Sequence, residues 1–210
     1  MIKNNLKILI ITSIIILLPI LAGVALWNQL PESVPIHWNA AGEVDGWASR
    51  AVAVFGLPAF LLAIHWVGVV ATFSDPKKQN HPQKIRVLVF WLVPVLSLIL
   101  MAVTYFSAMG QDVRIEIIAY MMLGLLFVFV GNYLPKCKQN YTIGIKIPWT
   151  LHSEENWNRT HRLAGYVWVG CGFAMMIAGI FGLAWVVLAA ALVMVFVPVI
   201  YSFVLNRKGI

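Results

Sequence analysis

The groups able to move a proton, hold a metal or attack a carbonyl are few: five histidines, eight carboxylates and two cysteines in 210 residues. The densest set is His152, Glu154, Glu155 and His161. A zinc hydrolase of the HExxH kind needs two histidines one helical turn apart with a glutamate between them. His152 and His161 are nine apart and fit no zinc signature, and the other histidines are His37, His65 and His81. There is no nucleophile elbow and no phosphate loop. Cys137 lies in a polar stretch and Cys171 in an apolar one, so two free thiols are expected. No catalytic residue, metal ligand or cofactor is assigned. A membrane hydrolase using the His/Glu cluster remains one alternative.

The elements that must position these groups are mostly apolar. The chain is 61% hydrophobic and 11% charged, with mean hydropathy +0.85, far from a soluble domain. Six solid apolar runs stand out, about Lys7–Trp27, Ala51–Phe73, Ile85–Ser107, Val113–Asn132, Leu163–Leu183 and Ala184–Leu205. Each is near the ~20 residues a helix needs to cross ~30 Å of hydrocarbon. The fold class expected is an all-α integral membrane protein with six transmembrane helices. The first run exceeds the apolar core of a signal peptide, so it is expected to remain as a helix.

The net charge of +7 comes from residues between the runs. On one side lie Lys3 and Lys7, then Lys77, Lys78, Lys84 and Arg86, then Lys136, Lys138, Lys146, Arg159 and Arg162, then Arg207 and Lys208. The other side has Arg50 and Arg114 only. The thirteen-to-two bias predicts both termini in the cytoplasm, with loop 133–162 inside and loop 30–50 outside. Contact with the lipid bilayer accounts for this charge, and direct nucleic-acid binding is not expected.

Pro19, Pro58, Pro94 and Pro198 predict kinks. Gly170, Ala174, Ala178 and Gly182, four apart, predict a close-packing stripe on the fifth run. The short link to the sixth run predicts a tight helical hairpin. His65 is the ionisable residue well inside a run, and the reading is a neutral imidazole bonded to a neighbouring helix. Glu116 lies near the start of the fourth run. No internal repeat supports a transporter, though a small transporter or channel-like protein stays open.

Two polar segments remain. The outer one, "LPESVPIHWNAAGEVDGWASR", has Pro31 and Pro35 for extended or turn backbone and Gly42 and Gly46 for tight turns. It reads either as an interfacial hook or as a recognition surface of His37, Trp38 and Trp47 with Glu32, Glu43 and Asp45. In the inner one, Ser153 is a helix cap with Glu154 and Glu155 in the first turn. Glu155 and Arg159 are spaced to pair, and Trp157 and His161 share a face. A short amphipathic helix at the inner surface, turning into the fifth run, is expected, preceded by an extended arm, "YTIGIKIPW". It serves as a membrane-surface anchor or as a docking site for a cytoplasmic partner.

The stretch "GNYLPKCKQNYTIGIKIPWTLHSEENWNRTHRLAG", residues 131–165, resembles the signature of the SdpI family of bacterial membrane immunity proteins. The outer "LPESVPIHWNAAGEVDGW" resembles the short membrane domain often found at the amino terminus of that family. The resemblance implies a multi-pass protein of the bacterial inner membrane, not an enzyme, that confers resistance to a secreted antimicrobial peptide toxin. It also implies signal transduction, by holding a cytoplasmic autorepressor protein at the membrane. Two domains follow, 1–75 with the outward loop and 76–210 with the signature loop. Toxin recognition then falls to His37, Trp38, Asn39, Asp45 and Trp47. Docking or switching falls to Asn140, Tyr141, Gly144, Pro148, Trp149, Trp157, His161 and Arg162, with Gly144 and Pro148 shaping the backbone.

Overall fold

The computed structural model describes residues 2–210, with side chains from residue 5. The side chain of Lys3, part of the basic flank, lies outside the described residues. In chain order the elements are α1 (Ile2–Ala25), β1 (Ser33–Trp38), β2 (Val44–Ser49), α2 (Leu57–Ser74), α3 (Gln83–Ala108), α4 (Ile115–Tyr133), α5 (Pro148–His152), α6 (Glu154–Ile180) and α7 (Ala184–Arg207). All but α5 among these helices are long and apolar enough to cross a membrane, which makes six. Only 22–33% of each span is buried within the protein. The remaining apolar surface would drive aggregation in water and is suited to lipid.

The all-α expectation needs a correction. Residues 33–49 form an antiparallel hairpin, with Pro35 opposite Trp47 and Trp38 opposite Val44. The pairing slips around His37, a bulge that Gly46 accommodates, since a Cβ there would press on the His37 side chain. Gly42, at φ 83°, closes the turn.

The chain packs as two compact units. The first runs to Phe73 and takes in Val87–Ile115; the second is Ser74–Arg86 with Glu116–Ile210. Packing thus groups most of α3 with the amino-terminal helices, whereas the division at residue 75 follows the sequence motifs.

In the first unit, Leu9, Val69, Phe73 and Phe90 form one core, and Leu30, Val54, Met101 and Tyr105 another. Buried polar groups tie the helices across these cores. Ser97 Oγ donates to the Ile16 carbonyl and Tyr105 Oη to the Pro19 carbonyl. His65 is bonded to a neighbouring helix as expected: Nε2 lies 2.9 Å from Thr12 Oγ1. The Thr12 hydroxyl donates to the Ile8 and Leu9 carbonyls, so the histidine is the donor. Pro19, Pro94 and Pro198 lie inside long helices. Pro58 instead follows a π turn, Val52–Gly56, at the second position of α2.

In the second unit the small-residue stripe is not where it was expected. Gly170 faces open space and Gly182 is a turn residue at φ 67°. The close approach runs instead through Gly165, Gly172 and Gly179, seven apart on α6. A Cβ at these positions would meet Gly131 and Pro135, Gly124 and Val128, and Tyr120 respectively. Seven residues is nearly two helical turns, so this spacing keeps one face on α4 where spacing of four drifts away. The α6–α7 link is tight, as expected: the Leu183 N–H donates to the Ala178 carbonyl. Met175, Ala190 and Met194 fill the core between these two helices.

Candidate functional site: a buried polar layer and an exposed hairpin

The polar layer of the second unit begins at Ser153. Its hydroxyl accepts from the Asn156 N–H at 3.2 Å and starts α6. With acids in the first turn and no proline or glycine before Gly165, the helix runs unbroken into the membrane span. The amphipathic helix expected to turn into the fifth run is the first two turns of α6, and loop 133–162 ends at 153. Arg159 Nη2 donates to Glu155 Oε1 at 2.6 Å, the expected pair.

Trp157 and His161 do share a face, stacked with ring centroids 3.9 Å apart. That face does not lie on lipid, because both residues are fully buried. Trp157 Nε1 donates to the Cys137 carbonyl at 2.7 Å. His161 Nε2 accepts from the Ile145 N–H at 2.9 Å, so Nδ1 carries the proton and donates to the Trp157 carbonyl. The imidazole is neutral and both its nitrogens are occupied. Gly144, at φ 122°, passes directly over these rings, and a Cβ would collide with His161 Nε2 and the Trp157 ring. Gly144 and Pro148 shape the backbone, Pro148 at the first position of α5.

Asn140 is fully buried and holds the turn before Gly144. Its Oδ1 accepts from the Thr142 and Ile143 N–H groups, and its Nδ2 donates to the Lys138 and Ile143 carbonyls. Tyr141 is 52% exposed, and Lys146 and Arg162 are also exposed. Trp149 packs edge-on against Phe203, with its buried Nε1 unpartnered. His152 is exposed, its Nδ1 2.6 Å from the Pro148 carbonyl. The His/Glu set around residue 152 is thus not gathered: His161 faces inward and His152 outward. Among the described residues no group of three or more His, Cys, Asp or Glu is arranged to hold a metal.

Sequence reasoning missed the clamp on this loop, residues 75–81. Asp75 is buried and its carboxylate accepts four hydrogen bonds. Oδ1 takes the Lys77 N–H at 2.7 Å; Oδ2 takes the Tyr141 N–H at 3.0 Å, Thr142 Oγ1 at 2.6 Å and His81 Nε2 at 3.2 Å. Burial by itself raises the carboxyl pKa, but the bonds from Thr142, Lys77, Tyr141 and His81 outweigh it and hold it below the usual carboxylate value. Gln139 is the second clamp. It accepts from Lys77 Nζ at Oε1 and from Asn80 Nδ2 at its carbonyl, and its Nε2 donates to the Thr150 and Leu151 carbonyls. Beneath the layer, Asn156 Nδ2 donates to the Ser202 carbonyl while its Oδ1 accepts from Thr160 and Ser202 hydroxyls. Burial pushes the Cys137 thiol up to about 11, so it is not a reactive thiolate.

The hairpin of the first unit keeps its chemistry outside. His37 Nδ1 lies 2.5 Å from Asp45 Oδ1, with the two side chains 72% and 44% exposed. Trp47 is 58% exposed and Trp38 half-buried. Asn39 is a turn builder: Oδ1 accepts from the Ala41 and Glu43 N–H groups and Nδ2 donates to Glu43.

Two family models match these regions. Residues 136–202, nearly all of the layer with α6 and most of α7, match the SdpI/YfhL protein family, and residues 14–62, which include the hairpin, match a domain of unknown function, DUF1648. The chain is similar to a protein named Immunity protein SdpI from Bacillus subtilis (strain 168). The two are 29% identical over 175 residues, 82% of this chain and 81% of that one. No solved structure matches. The stretch that matches the SdpI/YfhL family thus lies behind an amino-terminal stretch that matches DUF1648, the order that the two signature stretches implied.

Proposed function

We propose that the chain is a multi-pass protein of the bacterial inner membrane that protects its cell from a secreted antimicrobial peptide toxin. One observation carries this reading. The region matching the SdpI/YfhL family holds most of the hydrogen-bonded layer, all but its clamp at residues 75–81, in a chain whose relative over four fifths of its length is named an immunity protein. In this reading the basic side of the chain is cytoplasmic, both termini included, and the hairpin faces outward. The amino-terminal domain, 1–75, meets the toxin through Trp47, His37, Trp38 and Asp45, with Asn39 holding the turn. The domain 76–210 carries the response. It works by binding rather than covalent chemistry, since His81 and His161 are committed to internal hydrogen bonds. Tyr141, Lys146 and His152 present the face on which a cytoplasmic autorepressor docks. Toxin can drive that docking only by preferring one of two arrangements of the protein.

The test is protection of membrane potential. The chain is expressed in a sensitive bacterium and a potential-sensitive dye is followed as an SDP-type peptide is added, with Trp47→Ala alongside. Wild type is expected to hold the potential and Trp47→Ala to lose protection at unchanged expression. Depolarisation as fast as in empty cells, with the protein present in the membrane, would sink the immunity reading.

A further inference from the structure

The groove at the polar end of α6 and α7 has no part in the reading above. It has a volume of about 380 Å³ and is lined by Arg159, Arg162, Leu163, Tyr166 and Tyr201. Residues 159, 162, 163 and 166 form one stripe of α6, and Tyr201 comes from α7. Asn156 bonded to Ser202 fixes the two helix ends side by side. Apart from the buried Trp157, α6 is polar up to Arg162 and mostly apolar from Leu163, so the groove straddles the boundary between water and hydrocarbon. Arg159 spends one guanidinium nitrogen on Glu155, which steadies it and leaves other donors free. Arg162 is exposed and has no ion-pair partner among the described residues.

We propose that this groove is a binding site for the phosphate headgroup of an anionic phospholipid. Charge complementarity selects the occupant. Guanidinium forks bind phosphate oxygens in a bidentate manner, and two of them against one carboxylate leave net positive charge. Tyrosine belongs at headgroup depth, with its ring in the acyl boundary and its hydroxyl toward the phosphate. Leu163 and the Tyr166 ring continue the wall toward hydrocarbon, which suits a glycerophospholipid better than a free anion. The site faces leaflet lipid, so it is filled without an entry path from water.

The full chain in mild detergent is titrated with short-chain phosphatidylglycerol, phosphatidylcholine or inorganic phosphate and read by native mass spectrometry. Phosphatidylglycerol is expected to be retained over phosphatidylcholine. Arg162→Gln should reduce that retention about tenfold, the equivalent of one lost charge-assisted contact. Tyr201→Phe should reduce it less. Arg207→Gln, which removes the same charge at the same end of α7 but outside the groove, should leave it unchanged. Equal retention of the two lipids overturns the proposal, as does an Arg207→Gln loss equal to that of Arg162→Gln. Displacement of the lipid by millimolar phosphate would make this a free-anion site and also overturns it. Should Arg162→Gln fail to fold, Arg159→Gln and Tyr201→Phe carry the same test.

Discussion

Asn39 and Asn140 do the same job in the two polar segments. Each side-chain oxygen accepts two backbone N–H groups from the following residues and closes a turn. They differ in surroundings. Asn39 is exposed at the tip of a hairpin, and Asn140 is fully buried among backbone carbonyls that its amide also satisfies. The difference runs through both segments. The hairpin holds its shape with local bonds and leaves His37 and Trp47 outside. The layer draws in Asp75, Gln139, Asn140, Trp157 and His161 and leaves a thin exposed face. A buried hydrogen bond costs far more to break than an exposed one, since the orphaned partner cannot turn to water. Residues of similar type therefore act as recognition groups in one segment and as framework in the other.

The largest expected effect is at Asp75. Asp75→Ala leaves the Tyr141 and Lys77 N–H groups, the Thr142 hydroxyl and His81 without their acceptor. It should destabilise the second unit by about 3–5 kcal/mol, as when one member of a buried charged set is removed. Thermal unfolding in detergent measures the loss, and tryptic cleavage after Lys138 or Lys146 should speed up. The exposed counterpart, Asp45→Ala, should cost about 1 kcal/mol or less. Equal losses at the two sites would break the comparison.

The same carboxylate sets an acid limit. Its folded pKa lies below its ordinary value, so the protonated form is disfavoured by folding. The stabilisation is fully present above about pH 4, the ordinary carboxylate range. It is lost as the pH falls through the lowered folded value. Acid titration of unfolding should show this slope in wild type, and Asp75→Asn should flatten it. A slope that survives Asp75→Asn would assign the acid limit to other carboxylates.

Next is the asparagine pair. Asn140→Ala should cost about 2–3 kcal/mol, because buried donors and acceptors lose their partners together. Asn39→Ala should cost about 1 kcal/mol or less, because water replaces each lost bond. The ratio between them, read from paired melting curves, sharpens the contrast more than either value alone.

What could be read from the residues follows the range of the interactions. The six spans rest on runs of adjacent residues, and the start of α6 rests on Ser153, Glu155 and Arg159 within two turns. Those readings agree with the fold. The Asp75 clamp reaches Thr142 across 67 residues, and no local spacing in the sequence signals it. The glycine contacts of α6 depend on which face α4 covers, which its own pattern does not say. The hairpin did have a signal: two runs rich in β-branched and aromatic residues, "SVPIHW" and "VDGWAS", flank five residues containing glycine. Pro35, read as favouring extended or turn backbone, lies within β1, where an edge position tolerates it. Burial separated the signature residues into framework and surface, and a linear motif carries no burial.

The smallest effect expected concerns the rim of the layer itself. Glu155 and Arg159 are half-exposed, with side chains 60% and 48% accessible, and pair across one helical turn at 2.6 Å. Such pairs stabilise a helix by about 0.3–0.5 kcal/mol and weaken with salt. Glu155→Gln should therefore shift the melting curve little, and less still at high ionic strength. Its consequence should instead be local, freeing the Arg159 guanidinium and making the end of α6 more positive. If Glu155→Gln costs as much as Asn140→Ala, the boundary between framework and surface is misplaced. The exposed rim would then belong to the same cooperative network as Asp75, and the contrast with the hairpin would shrink to a difference in size rather than kind.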